Sequence, residues 1–223
     1  MSTDYNEIPI PTIKRLPSYL RLLKAYREEG MEMISATLLA DELGLKPIQV
    51  RKDISCTGIE GKPKVGFSVN GLIDAIIEAL GWDNATDAIL VGVGHLGSAL
   101  ARYEGFGNYG LKIAAAFDSD EKKWGTKVGR VPVLNPAQMG SYIEENHVNI
   151  AVIAVPAEHA QAVADQVVGY GIRAIWNFAP KDLKLDEDVV VQRTDLATSF
   201  AVLSAQVKLR LDQKKHRSGS DTW

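Results

Sequence analysis

Six residues, Gly92, Val93, Gly94, His95, Leu96 and Gly97, separate the apolar run Ile89-Leu90-Val91 from Ser98-Ala99-Leu100. A buried strand, a glycine loop and the first turn of a helix, in that order, make an anion site. Gly92 permits the tight turn, Gly94 lets the backbone approach a pyrophosphate, and Gly97 lets the helix pack close to the strand. The N–H groups of the helix start then face the anion. A second strand, Leu111 to Phe117, ends in Asp118, 21 residues beyond Gly97, where a ribose-binding carboxylate belongs. Its charge repels a 2′-phosphate, so the expected ligand is NAD(H) and not NADP(H). Val155 and Pro156, and then Asn177, Phe178 and Ala179, fall at the ends of two further apolar runs. Ligands of open α/β sheets bind at that carboxyl edge, and these five residues are expected on the nicotinamide side.

A different chemistry stands upstream. Between residues 46 and 64, Lys46, Arg51, Lys52, Lys62 and Lys64 face only Asp53 and Glu60, a basic patch in a chain of net charge −3. Electrostatic footprints are local, so the overall charge does not argue against nucleic acid. The elements around the patch suit double-stranded DNA. Ile13, Leu16, Leu20, Leu23 and Tyr26 give residues 12–29 one apolar helical face, stopped by Gly30. Ser35 can cap a second helix with Leu38, Leu39 and Leu43 on its inner face, and Gly44-Leu45-Lys46 turns into a third beginning at Pro47. On that third helix Pro47, Val50 and Ile54 share the inward face. Ile48, Gln49, Lys52 and Ser55 then project outward, with Arg51 at the flank. Glutamine can read adenine, arginine or lysine guanine, and serine can hold a phosphate. The stretch from Glu60 to Val69 reads as a short strand pair with a basic Gly/Pro tip, a wing whose Lys62 and Lys64 reach phosphate or the minor groove.

With 223 residues and 46% hydrophobic content the chain can bury two cores. We expect an α/β protein: a winged helix-turn-helix domain over 1–80, then a Rossmann domain with a parallel, doubly wound sheet over 81–195. Strands are expected at 111–117, 150–155 and 172–176, and helices near 136–145 and 157–168. A last helix over 196–212 carries an apolar stripe, Leu196, Phe200, Leu203, Val207 and Leu211, that its own chain or a second copy must cover. Residues 213–223 are expected to be a disordered tail. No apolar run spans a membrane and no leader is evident, so a cytoplasmic protein without a membrane partner is expected. The single Cys56 reads as a structural thiol, and the four histidines show no zinc spacing.

These parts together resemble the Rex family of redox-sensing transcriptional repressors, from Arg15-Leu16-Pro17-Ser18-Tyr19-Leu20-Arg21 to about Leu211. The most specific pieces are Gln49-Val50-Arg51-Lys52-Asp53-Ile54-Ser55, the glycine loop, Phe117-Asp118, Val155-Pro156 and Asn177-Phe178-Ala179-Pro180. The resemblance implies operator reading by Gln49, Arg51, Lys52 and Ser55, NAD(H) as effector, release of DNA by NADH, and a homodimer that exchanges its last helix. It also implies a coupling set at Arg21, Tyr103 and Asp195, with Asp195 pairing Arg21 in one state and Tyr103 in the other. The wing departs from the family pattern, with Lys62 and Lys64 where the family carries arginine-glycine and aromatic residues. Cys56 stands where an aromatic residue is usual. Two rivals remain. A dehydrogenase needs a proton donor and a substrate anchor, yet His95, His147 and His159 read as surface or packing residues and no catalytic set is evident. A winged-helix regulator of another nucleotide-type ligand, such as a coenzyme A derivative or a sugar nucleotide, is opposed by Asp118.

Overall fold

The computed structural model describes residues 8–83 and 86–218. The chain divides into two units, Met1–Ala85 and Thr86–Trp223.

In the first unit α1 (Ile10–Glu28), α2 (Ala36–Leu43), α3 (Pro47–Ser55) and α4 (Val69–Ala79) enclose one core. Leu16, Leu20 and Leu23 of α1 meet Leu39, Val50, Ile54, Leu72 and Ile76, all buried. Ser35 caps α2 by accepting from the Leu38 N–H at 3.1 Å, and Gly44 ends it in the left-handed conformation that the turn into α3 requires. Two details differ from the periodic pattern. Ile13 is exposed, whereas Thr12 and Tyr19 are buried, because their hydroxyls serve a buried carboxylate on α3. The wing is also shorter than a strand pair within 60–69. Lys62 and Gly66 form an isolated antiparallel bridge, while β2 (Phe67–Ser68) pairs with β1 (Met33–Ile34) just before α2. Proline at position 63 has no N–H to extend a ladder, and a two-residue β1 leaves no periodic signal.

The second unit is a seven-stranded sheet of order β5-β6-β4-β3-β7-β8-β9. Its members are β3 (Thr86–Val91), β4 (Leu111–Phe117), β5 (Lys127–Val128), β6 (Val131–Leu134), β7 (Ile150–Ile153), β8 (Ala174–Asn177) and β9 (Val190–Arg193). Only the β5–β6 pairing is antiparallel. The chain winds outward from β3 through β4 to β6, then crosses back to β7 and winds the other way to β9. The reversal between β3 and β7, where Val91 lies beside Ile153, is the switch point of a doubly wound sheet. Helices α5 (His95–Arg102), α6 (Met139–Glu145) and α7 (Ala157–Gly169) flank it. Strands β5, β6 and β9 were not expected from the pattern; β9 is exposed at all four residues and so carries no apolar alternation.

The last helix, α8, runs from Leu196 to Ser218. It passes the expected end at 212, because Gln213, Lys214, Lys215 and Arg217 are good helix formers and cations suit a helix C-terminus. Of the expected disordered tail, residues 219–223 lie outside the described residues. Phe200 is 69% exposed, and Leu203, Val207 and Leu211 are exposed as well.

Candidate functional site

Three interactions stitch the glycine loop to the end of β4. The Gly92 N–H donates to the Phe117 carbonyl at 2.8 Å, the Val93 N–H to the Asp118 carboxylate at 2.6 Å, and the Lys123 ammonium to the Val93 carbonyl at 3.1 Å. The three glycines differ in what they permit. Gly92 has φ +95°, and a Cβ there would lie 2.7 Å from the Ala154 carbonyl oxygen. At Gly97 a Cβ would lie 1.9 Å from the Gly92 carbonyl oxygen, so the helix touches the loop backbone. A Cβ at Gly94 would meet nothing within 4 Å. That open side is where a phosphate can approach. Gly94 is also the N-cap of α5 and supplies no side-chain acceptor, which leaves the first N–H groups of the helix for an anion. His95 and Leu96 are exposed on this first turn. Val155 lies against Gly92, and the exposed Pro156 caps α7.

Asp118 is only 8% exposed. Besides the Val93 N–H it accepts from the Asp120 N–H at 2.9 Å and from the Lys123 ammonium at 3.0 Å. Burial pushes its proton affinity up, but the Asp120 and Val93 N–H groups and Lys123 outweigh burial and hold the carboxyl below its ordinary range. A carboxylate offers about four acceptor directions, so one remains for a ribose hydroxyl. This donor set fits a dinucleotide.

Asn177 is turned inward. Its amide donates to the Lys181 carbonyl at 2.8 Å and its oxygen accepts from the Ala179 N–H at 2.9 Å, with 1% exposure. It holds the turn after β8, and Ala179 is buried beneath that turn. The half-buried Phe178 packs on Trp176 at 4.9 Å, Trp176 meets Phe106 at 5.5 Å, and Phe106 meets Tyr103 at 4.8 Å. The Trp176 indole donates to the Thr194 hydroxyl at 2.8 Å. An aromatic row thus runs from Tyr103 to the residue before Asp195. Asp195 itself accepts from the Ala197 N–H at 2.9 Å and from Arg193 at 2.8 Å, so it caps α8 with an arginine as its charged partner. The Ala197 N–H, aided by Arg193, draws its carboxyl below the ordinary range. Arg21 is exposed on α1.

In the first unit Lys46, Arg51, Lys52 and Ser55 are exposed, as is Ile48. A concavity of about 550 Å³ brings Arg51 and Ser55 of α3 together with Lys62 and Lys64 of the wing and with Ser35 and Thr37 at the start of α2. Basic side chains beside a helix start suit a phosphate backbone. Lys64 holds φ +62°, part of the tight wing tip. Gln49 differs from expectation, because it is half-buried and its amide donates to Asp53 at 3.0 Å. Asp53, one of the two acidic residues set against the basic patch, has a side chain with no exposure. It also accepts from Thr12 at 2.9 Å, from Arg15 twice at 2.7 Å and from Tyr19 at 2.6 Å. Burial opposes its charge, but Arg15, Tyr19, Thr12 and Gln49 together lower its pKa to about 2. Cys56 is exposed at the end of α3, its thiol 3.3 Å from the Lys52 carbonyl oxygen, and is not a packed core thiol. Among the described residues no cluster of His, Cys, Asp or Glu could hold a metal ion, and no helix is long and apolar enough to cross a membrane.

Pattern reasoning missed Arg15, Tyr19 and Asp53 as one cluster, and Lys123 as the partner of Asp118. The signal for the first was two hydroxyl residues, Thr12 and Tyr19, at helical spacing around an arginine. For the second no signal short of the fold exists, since a lysine five residues past a strand is ordinary.

Residues 83–181 match the family model described as "CoA binding domain", and residues 7–55 the one described as "Putative DNA-binding protein N-terminus". The chain is 43% identical to a redox-sensing transcriptional repressor Rex of Treponema denticola over 200 residues, covering 90% of this chain and 95% of that one. It is 38% identical to the protein of the same name from Bacteroides fragilis, over 90% of this chain and 91% of that one. Among solved structures, RSP in complex with beta-NAD+ and operator DNA superimposes with a TM-score of 0.86 at 31% identity, covering 95% of this chain and 97% of that one. RSP in complex with beta-NADH gives 0.83 at 30% identity, covering 94% and 99%. An N-terminal DNA-binding domain followed by a Rossmann-like sheet is thus the fold of these relatives and of this chain. The protein belongs to the Rex family of redox-sensing transcriptional repressors.

Proposed function

We propose that this protein holds operator DNA through its N-terminal unit and lets it go when NADH replaces NAD⁺ in its Rossmann unit. The observation that carries the reading is the joining, in one chain, of an exposed basic helix-and-wing face to a glycine loop whose Gly94 side is open. The full-length similarity to named redox-sensing repressors, and to solved structures holding NAD⁺ with operator DNA and NADH, supports the same reading. In this reading Gly92 to Gly97 hold the pyrophosphate, Asp118 the adenosine ribose, and Val155, Pro156 and Phe178 line the nicotinamide side. Asn177 and Ala179 act from beneath by shaping the β8 turn. NAD⁺ and NADH differ by one positive charge and by ring planarity, and that difference is the signal. A ligand shifts an equilibrium only by its differential affinity for the two states, and a tenfold change in operator affinity needs about 1.4 kcal/mol of coupling.

The α8 stripe is covered by a second copy, in a homodimer that exchanges this helix, which sets two recognition helices against successive major grooves about 34 Å apart. Arg21, Tyr103 and Asp195 carry the coupling. The protein works in the cytoplasm, where the nucleotide pool and the DNA are. Operator titration with each nucleotide tests the proposal. NADH should weaken binding at least tenfold relative to NAD⁺, and equal affinities overturn it. Thermal shifts with NADH, NADPH and acetyl coenzyme A separate this reading from a coenzyme A sensor, and substrate-dependent NADH oxidation would reveal a dehydrogenase instead.

A further inference from the structure

The Gln49 amide faces a carboxylate that can only accept. Asp53 receives five hydrogen bonds, from Thr12, the Arg15 Nε and Nη2, Tyr19 and Gln49, and its side chain has no exposure to solvent. Every direction on its two oxygens is met by a donor, so no proton lies between it and Gln49. The amide could otherwise turn over freely, since its nitrogen and oxygen have the same shape. Here the turned form would set Oε1 3.0 Å from a carboxylate oxygen with no hydrogen between them, a repulsive contact in a buried place. The nitrogen therefore stays inward, and the exposed edge of this half-buried side chain keeps its oxygen.

That orientation has a consequence for DNA. Major-groove edges offer donors only at adenine N6 and cytosine N4; guanine O6 and thymine O4 are acceptors. Resting on the DNA-binding reading above, we infer that Asp53 is a positioning residue that fixes the polarity of Gln49. Gln49 then accepts from the exocyclic amine of an adenine or a cytosine at one operator position, on the strand that it faces, and finds no donor in a guanine or thymine on that strand. Arg15, Tyr19 and Thr12 hold the carboxylate that sets this choice. A glutamine free to turn over would read both classes of edge and discriminate little.

The full-length protein and Gln49→Ala and Gln49→Met variants are given a random duplex library. The enriched duplex is then varied one base pair at a time. The expected result is one base pair at which the wild type binds about tenfold better with adenine or cytosine on one given strand than with guanine or thymine on that strand, with both variants indifferent there. Replacing that base by its amine-free analogue, purine for adenine or 2-pyrimidinone for cytosine, should cost the wild type the same factor and cost the variants nothing. A Gln49-dependent preference that persists on the amine-free duplex overturns the inference and leaves the DNA-binding reading intact. So does full affinity for the amine-free duplex, or the absence of any position sensitive to Gln49. If no duplex is enriched, the DNA-binding reading fails and this inference falls with it.

Discussion

The backbone N–H of Val93 donates to the carboxylate of Asp118 at 2.6 Å, joining the glycine loop after β3 to the end of β4. The acid that sequence spacing assigns to a ribose therefore also sets the shape of the glycine loop. Asp118→Ala leaves the Val93 and Asp120 N–H groups without this acceptor, while Lys123 keeps the Val93 carbonyl; the loss is about 1–3 kcal/mol for a buried donor. Calorimetric titration should show NADH binding weakened at least tenfold. Lys123→Ala should have a smaller effect of the same sign, because two backbone N–H groups still hold the carboxylate.

The glycines separate folding from binding. Gly97→Ala drives a methyl into the Gly92 carbonyl and should destabilise the second unit by about 2 kcal/mol or more, seen as a lower thermal midpoint. Gly94→Ala meets open space and should leave stability within about 0.5 kcal/mol of the parent, while NADH binding falls. A Gly94→Ala protein that binds NADH normally would show that the phosphate does not approach here.

Asp53 governs the acid limit of the first unit. Its pKa in the folded protein is about 2, below the ordinary carboxylate value of about 4, so its contribution is complete above pH 4 and is lost as the pH falls through 2. Arg15 stays charged throughout, its own pKa raised by the Asp53 hydrogen bond. Chemical denaturation from pH 5 to pH 2 should show a steeper loss for the parent than for Asp53→Asn. Removing the carboxylate outright, as Asp53→Ala, leaves Arg15 unpaired and should cost about 3–5 kcal/mol.

Arg51, Lys52, Lys62 and Lys64 are exposed, and three of them line the concavity beside α3. Each one that neutralises a phosphate contributes about one unit to the slope of log affinity against log salt. Lys52→Ala and Lys64→Ala should each flatten that slope by about one in a binding assay run at several salt concentrations. An unchanged slope for Lys52→Ala assigns that residue to a base edge or to no contact.

Phe200 is 69% exposed on α8, and Leu203 on the same stripe is 57% exposed. Phe200→Glu with Leu203→Glu should yield a monomer by light scattering and lose operator binding with it. The coupling set can be tested without disturbing the helix. Asp195→Asn keeps an acceptor for the Ala197 N–H and deletes only the charge that faces Arg193. It, Arg21→Ala and Tyr103→Phe should blunt NADH-induced release while NADH binding persists.

What the sequence determined by itself was whatever short-range pattern encodes. The glycine loop, the acid after the second strand, the helix-turn-helix order and the exposed α8 stripe all depend on residues a few positions apart, where the periods of strand and helix report burial directly. The tertiary structure alone decided where the charges went. Asp53 and Arg15 are 38 residues apart, and Val93 and Asp118 are 25 apart. No local period distinguishes an aspartate that faces solvent from one that chain closure buries among donors. The same holds for β9, whose exposed residues join the sheet only because β8 offers backbone partners. Hydrophobic patterning says which face turns inward, but ion pairs and edge strands are settled by which distant segments meet once the cores have formed.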